Sequence, residues 1–131
     1  MKKSSSKKIT NKQKKILVVE DERPMSYALA LKLTDAGFLT VTAMNGEEAI
    51  SKIGGTIFDL ILLDLIMPRK DGFTVLAELQ QKKNIPPILV LTNLGQEEDA
   101  DRVRKLGARQ YIIKSETPLV EVIAHVRAFL A

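Results

Sequence analysis

Short apolar runs alternate with longer segments of helical period through most of the chain. The runs cover residues 16–19, 39–43, 60–63, 88–91 and 111–113. Three of them, ILVV, LILL and ILVL, are unbroken rather than alternating, the pattern of strands covered on both faces in a parallel sheet. Such strands require helices on both sides. Between Pro24 and Gly37, residues Met25, Ala28, Leu29, Leu33 and Ala36 recur at spacings that place them on one helical stripe. Pro24 suits a first helical turn and Gly37 a C-terminal stop. A second helix opens at Asn45, with Glu48 three residues on in a capping-box arrangement, and ends at Gly54 and Gly55. A third is predicted over 73–82. A fourth, over 96–106, has acids at its start and Arg102, Arg104 and Lys105 at its end, matching the helix dipole. The last begins at Pro118 and aligns Leu119, Val122, Ile123, Val126 and Phe129.

Five strand-helix units joined by right-handed crossovers predict an α/β fold with an open, doubly wound, five-stranded parallel sheet. Ligands of such sheets sit beyond the carboxyl ends of the strands. Chemistry is therefore expected just after each apolar run.

Composition bounds the reading. With 131 residues and 45% hydrophobic content, the chain can bury one sizeable core and is too short for two ordinary domains. The net charge of +4 is unevenly divided: residues 1–15 hold seven lysines and no acid, leaving 13 basic against 16 acidic residues in the remainder. Residues 1–13 read as a basic, disordered tail and 14–131 as the folded domain. Contact of the tail with nucleic acid or anionic lipid is the lesser reading. The absence of cysteine excludes disulfides and thiolate metal sites. No apolar run approaches the ~20 residues needed to span a bilayer, so the expected location is cytoplasmic.

The first strand ends in Glu20 and Asp21, the third in Asp64, the fourth in Thr92, and the fifth leads to Lys114. The topology gathers these three carboxylates, one hydroxyl and one amine on one edge. Adjacent acids are tolerable there if a divalent cation offsets their repulsion, and an oxygen-only ligand set suits Mg²⁺. A carboxylate beside such an ion, faced by a lysine and a hydroxyl, is suited to accepting a phosphoryl group. Asp64 is the best acceptor candidate, with Lys114 and Thr92 placed to offset charge on the transferred group. Each of these residues alone reads more simply as a cap or a solvated charge; the joint pattern carries the argument.

The segments VVEDE, LLDLIMPRKDG, VLTN and YIIKS, in their order and spacing, resemble the receiver domain of two-component response regulators, over about residues 14–130. The resemblance implies a flavodoxin-like, CheY-like sheet of order 2-1-3-4-5. It also implies phosphorylation of Asp64 by a sensor histidine kinase or a histidine phosphotransfer protein. The implied Mg²⁺ ligands are Glu20, Asp21, Asp64 and the backbone carbonyl of Ile66. Thr92 and Tyr111 would form a switch that biases a two-state packing arrangement. The fourth helix, with Ala100, Val103 and Leu106 as its main apolar positions, would be weakly held and able to respond. A downstream protein would then read the surface of the fourth helix, fifth strand and fifth helix, and phosphorylation-linked dimerisation through the fourth helix is a family expectation.

This sequence departs from the family pattern in three places. Asn93 stands where the family has a small residue, which predicts crowding of Asp64. Ser115 stands where proline follows the lysine. Ile66 and Leu94 are apolar at positions that influence attack by water in the family, which predicts a long-lived phosphorylated form.

Because the chain ends near the last helix, a stand-alone receiver without a DNA-binding or catalytic output domain is expected, with no turnover of a separate substrate. Two rivals are an interaction module that is never phosphorylated and a Mg²⁺-dependent phosphohydrolase. The latter needs a second acid two residues after the nucleophile, where Ile66 stands instead. His125, the sole histidine, reads as a surface residue one turn from Glu121.

Overall fold

The computed structural model describes residues 13–131. The basic tail predicted over residues 1–13 thus lies outside the described residues, apart from Gln13. The elements follow in strict alternation: β1 (Lys15–Val19), α1 (Arg23–Asp35), β2 (Leu39–Ala43), α2 (Gly46–Gly55), β3 (Leu60–Leu63), α3 (Gly72–Gln80), β4 (Ile88–Thr92), α4 (Glu97–Lys105), β5 (Gln110–Ile113) and α5 (Leu119–Leu130). The strands form one parallel sheet of order β2-β1-β3-β4-β5.

The unbroken apolar runs arise because alternate residues enter two different cores. Leu17, Val19, Ile61, Leu63, Ile88 and Val90 pack with Ala49 of α2, Val75, Leu76 and Leu79 of α3 and Val103 of α4. Their neighbours Ile16, Val18, Leu60, Leu62, Leu89, Leu91 and Ile112 pack with Leu29 and Leu33 of α1 and with Val122, Ile123 and Val126 of α5. A strand of period two covered on both faces has no position left for a polar residue. The edge strand β2, LTVTA, is correspondingly mixed, and only Ala43 is buried.

Helix ends follow local chemistry. Asn45 caps α2 by accepting from the Glu48 N–H at 2.8 Å, while the Glu48 carboxylate reaches back to the Met44 N–H at 2.7 Å. The backbone donor served is thus one residue earlier than in a standard capping box. At the end of α1, Gly37 takes φ +100° while Phe38 N–H bonds to the Leu33 carbonyl, a left-handed stop that glycine favours. Several predicted boundaries shift by a residue or two. α3 starts at Gly72 because Asp71 is its cap, accepting from Thr74 N–H, and it stops at Gln80. Pro118 is the N-cap of α5 rather than its first residue, and β5 gains Gln110 by pairing with Leu89. No helix among the described residues is long and apolar enough to cross a membrane.

Sheet register aligns the strand ends. Val19 pairs with both Ala43 and Leu63, and Thr92 pairs with Ile113. The residues that follow, Glu20, Asp64 and Lys114, therefore leave the sheet on one edge.

Candidate functional site

Backbone hydrogen bonds carry the ladder one step past the strands and fix the first two acids. Glu20 N–H donates to the Ala43 carbonyl and Asp64 N–H to the Val19 carbonyl, both at 3.0 Å. Carboxylate oxygens of Glu20, Asp21 and Asp64 lie within 4.8 Å of one another. Glu20 is 2% exposed and Asp64 6%, so neither charge is well solvated, whereas Asp21 is half-buried.

Lys114 crosses to this cluster from the far side of β4. Its Nζ lies 2.8 Å from Glu20 Oε1 and 3.2 Å from Asp64 Oδ2, with Glu22 Oε1 at 3.9 Å. Burial raises the pKa of Glu20, against the lowering effect of its bonds from Lys114 and the Glu22 N–H, and the nearby Asp64 charge raises it further. Burial by itself would lower the pKa of Lys114; its hydrogen bond to Glu20 and the charges of Asp64 and Glu20 win and raise it. The two directions agree physically: one ammonium faces a surplus of carboxylates, so it stays charged while the acids remain incompletely neutralised.

Thr92 is fully buried at the end of β4, and its hydroxyl oxygen accepts from Leu94 N–H at 3.4 Å. Tyr111 is half-buried on β5 and its hydroxyl donates to the Leu94 carbonyl. Burial, with a contribution from Asp99, raises the pKa of this phenol, which keeps it a donor. Ile66, 56% exposed, stands at the rim, and its N–H approaches Asp64 Oδ1 at 3.4 Å. Leu94 instead packs against the core beneath α2, α3 and α4.

The loop after Asp64 is shaped by close packing. A Cβ at Gly72 would collide with the Asp64 carbonyl and lie 2.6 Å from the Leu65 Cα, so the loop passes over the start of α3 only because residue 72 has no side chain. Arg69 and Lys70 both take positive φ, 51° and 79°. Arg69 is held by Glu47 at 2.8 Å and Lys70 by Glu78. Those side-chain partners support a backbone shape that non-glycine residues adopt reluctantly.

Of the residues singled out in the sequence, Glu20, Asp21, Asp64 and Lys114 meet, whereas Thr92 at the end of β4 and Tyr111 on β5 are both bonded to the Leu94 backbone. The opening to Asp64 is also lined by Glu22, Ile66 and Asn93. Glu22 was hidden in the sequence by its place at a helix start; the run EDE was the available signal. His125 differs from expectation. It is half-buried, with Nδ1 2.9 Å from Gln110 Nε2, because α5 lies along β5 and brings a polar partner to the ring.

A family model described as the response regulator receiver domain matches residues 16–126. The chain belongs to this receiver family. The PhoP alkaline phosphatase synthesis transcriptional regulatory protein of Bacillus subtilis is 42% identical over 117 residues, covering 89% of this chain and 48% of that protein. The receiver spans about half the length of the curated relatives it matches. Among solved structures, a two-component response regulator from Clostridium difficile matches with TM-score 0.84 and 30% identity, over 90% of this chain and 96% of that one. TrrA from Thermotoga maritima, in complex with Mg²⁺ and BeF, matches with TM-score 0.78 and 34% identity over 88% of this receiver and 98% of that chain.

The donor set fits Mg²⁺. Three carboxylates converge, two of them buried, and Lys114 supplies a single compensating charge. Hard oxygen donors with access to water are the ligands this ion takes.

Proposed function

We propose that this receiver accepts a phosphoryl group on Asp64 and signals through the face formed by α4, β5 and α5. The observation that carries the reading is the placement of Asp64: nearly buried, at a strand end, bonded to Lys114 and within 4.8 Å of two further carboxylates. A carboxylate otherwise costs several kcal/mol to bury, and such clusters mark chemistry more than stability.

In the proposed transfer, a carboxylate oxygen of Asp64 attacks phosphorus, the P–N bond of a phosphohistidine breaks, and the imidazole leaves. A sensor histidine kinase or a histidine phosphotransfer protein would supply that donor. Glu20, Asp21, Asp64 and the Ile66 carbonyl would hold Mg²⁺, which when bound offsets charge on the phosphoryl oxygens. Lys114 moves with the charge, exchanging part of its bond to Asp64 for one to the new group. The Thr92 hydroxyl then turns from the Leu94 N–H toward the phosphoryl oxygens, loosening the loop to which Tyr111 is bonded. The Mg²⁺ and BeF complex of TrrA supports this reading by family likeness.

No turnover of a separate substrate is proposed. A phosphohydrolase would want an acid at position 66, and that residue is isoleucine. An interaction module that is never phosphorylated is the remaining alternative. Intact-protein mass spectrometry after incubation with acetyl phosphate separates the two. The expected result is one added phosphoryl group that requires Mg²⁺ and is lost in Asp64→Asn; no addition to wild type or to Asn93→Ala supports the interaction module, whereas addition to Asn93→Ala alone means that Asn93 excludes the donor.

A further inference from the structure

Asn93 opens the loop after β4, and Ser115 lies in the 3-10 turn Lys114–Glu116 after β5. The side-chain oxygen of Asn93 accepts a hydrogen bond from the Ser115 backbone N–H at 2.9 Å. These are two of the three places where the sequence departs from the family pattern, and the structure joins them. The turn puts Lys114 in helical conformation. A residue ahead of proline is driven out of that conformation by the proline ring, whereas serine leaves it accessible. Serine also brings a backbone N–H at the start of a helical turn, where no partner exists within the turn. Asn93 supplies the acceptor.

The positions of the two residues give the bond a consequence. Asn93 follows the buried Thr92, and Ser115 follows the lysine whose Nζ bridges Glu20 and Asp64. We infer that Asn93 is a positioning residue: by holding the Ser115 amide it fixes the turn from which Lys114 reaches Asp64. A movement at Thr92 would then be passed through residue 93 to the start of α5. That last consequence rests on the proposed phosphoryl chemistry; the clamp itself does not.

The test is an NMR comparison of wild type, Asn93→Ala, Asn93→Asp and Ser115→Ala without phosphodonor, reading solvent exchange of the Ser115 amide and the Lys114 Nζ resonance. Asn93→Ala is expected to speed Ser115 exchange roughly tenfold, the size of one net hydrogen bond, and to move the Lys114 resonance. Asn93→Asp retains an acceptor oxygen and should keep the amide protected. Ser115→Ala keeps the N–H and should match wild type in both readouts. Unchanged Ser115 exchange in Asn93→Ala, loss of protection in Asn93→Asp, or an unmoved Lys114 resonance would overturn the inference. Acetyl phosphate labelling of the same samples separates it from its rivals. Faster labelling of Asn93→Ala with unchanged Ser115 exchange would mean that Asn93 merely crowds Asp64. The expected exchange pattern with no labelling of any variant would leave the clamp standing and remove the phosphoacceptor reading.

Discussion

Helices α3 and α4 are each nine residues long and pack on the same face of the sheet, yet they are held very differently. α3 follows the Asp64 loop and buries Gly72, Val75, Leu76 and Leu79. α4 follows the Thr92 loop and buries only Ala100 and Val103, with a charged residue at every other position. Two lateral ties join them: the Arg102 guanidinium sits over the Phe73 ring at 3.9 Å, and the Gln80 side-chain amide donates to the Lys105 carbonyl at 3.0 Å. The helix after Asp64, the proposed acceptor, is fixed by packing, while the helix after Thr92, the proposed responder, hangs on few apolar contacts. Segments of low local stability are the ones that rearrange at small energetic cost.

The contrast can be broken by substitution. Leu76→Ala should be the most damaging, lowering stability by about 2–5 kcal/mol in urea unfolding, since a fully buried leucine is removed and a core relaxes only partly around the cavity. Val75→Ala and Val103→Ala delete the same atoms from equally buried positions. Val75→Ala should cost roughly 2 kcal/mol, two methylene equivalents plus a cavity. Val103→Ala should cost less, because the loss cannot exceed the local stability of α4, which detaches instead. Equal losses would contradict the contrast.

Arg102→Ala should have a smaller effect, about 0.5–1 kcal/mol. Its signature would be faster amide exchange in α4 with none in α3. Smallest is the expected pH effect. Tyr111 has a folded pKa raised above 10.0, so its contribution is fully present below pH 10.0 and is lost as pH rises through the higher folded value. An ultraviolet titration in a Tyr27→Phe background would follow Tyr111 alone; ionisation below pH 10.0 would contradict the burial argument.

The sequence carried the fold because each unbroken run needs cover on both faces, which only helices on two sides of a parallel sheet provide. It carried Glu20, Asp21, Asp64, Thr92 and Lys114 because topology places strand ends together regardless of their separation along the chain. It did not carry the sharing of Lys114 between Glu20 and Asp64, which depends on the path of one flexible side chain. Nor could it give the bond between Asn93 and Ser115, two residues that look unrelated until β4 and β5 bring their loops side by side. His125 was legible only as a helical residue near an acid; its partner Gln110 comes from a different element.

The most direct test of a fixed acceptor beside a loose responder is amide hydrogen exchange across the whole domain, with and without acetyl phosphate and Mg²⁺, on protein whose labelling is confirmed by mass. The account predicts that phosphorylation changes exchange in the loop after Thr92, in α4 and along β5, while α3 keeps its unphosphorylated pattern. Altered exchange in α3 with α4 unmoved, in a fully labelled sample, would contradict it.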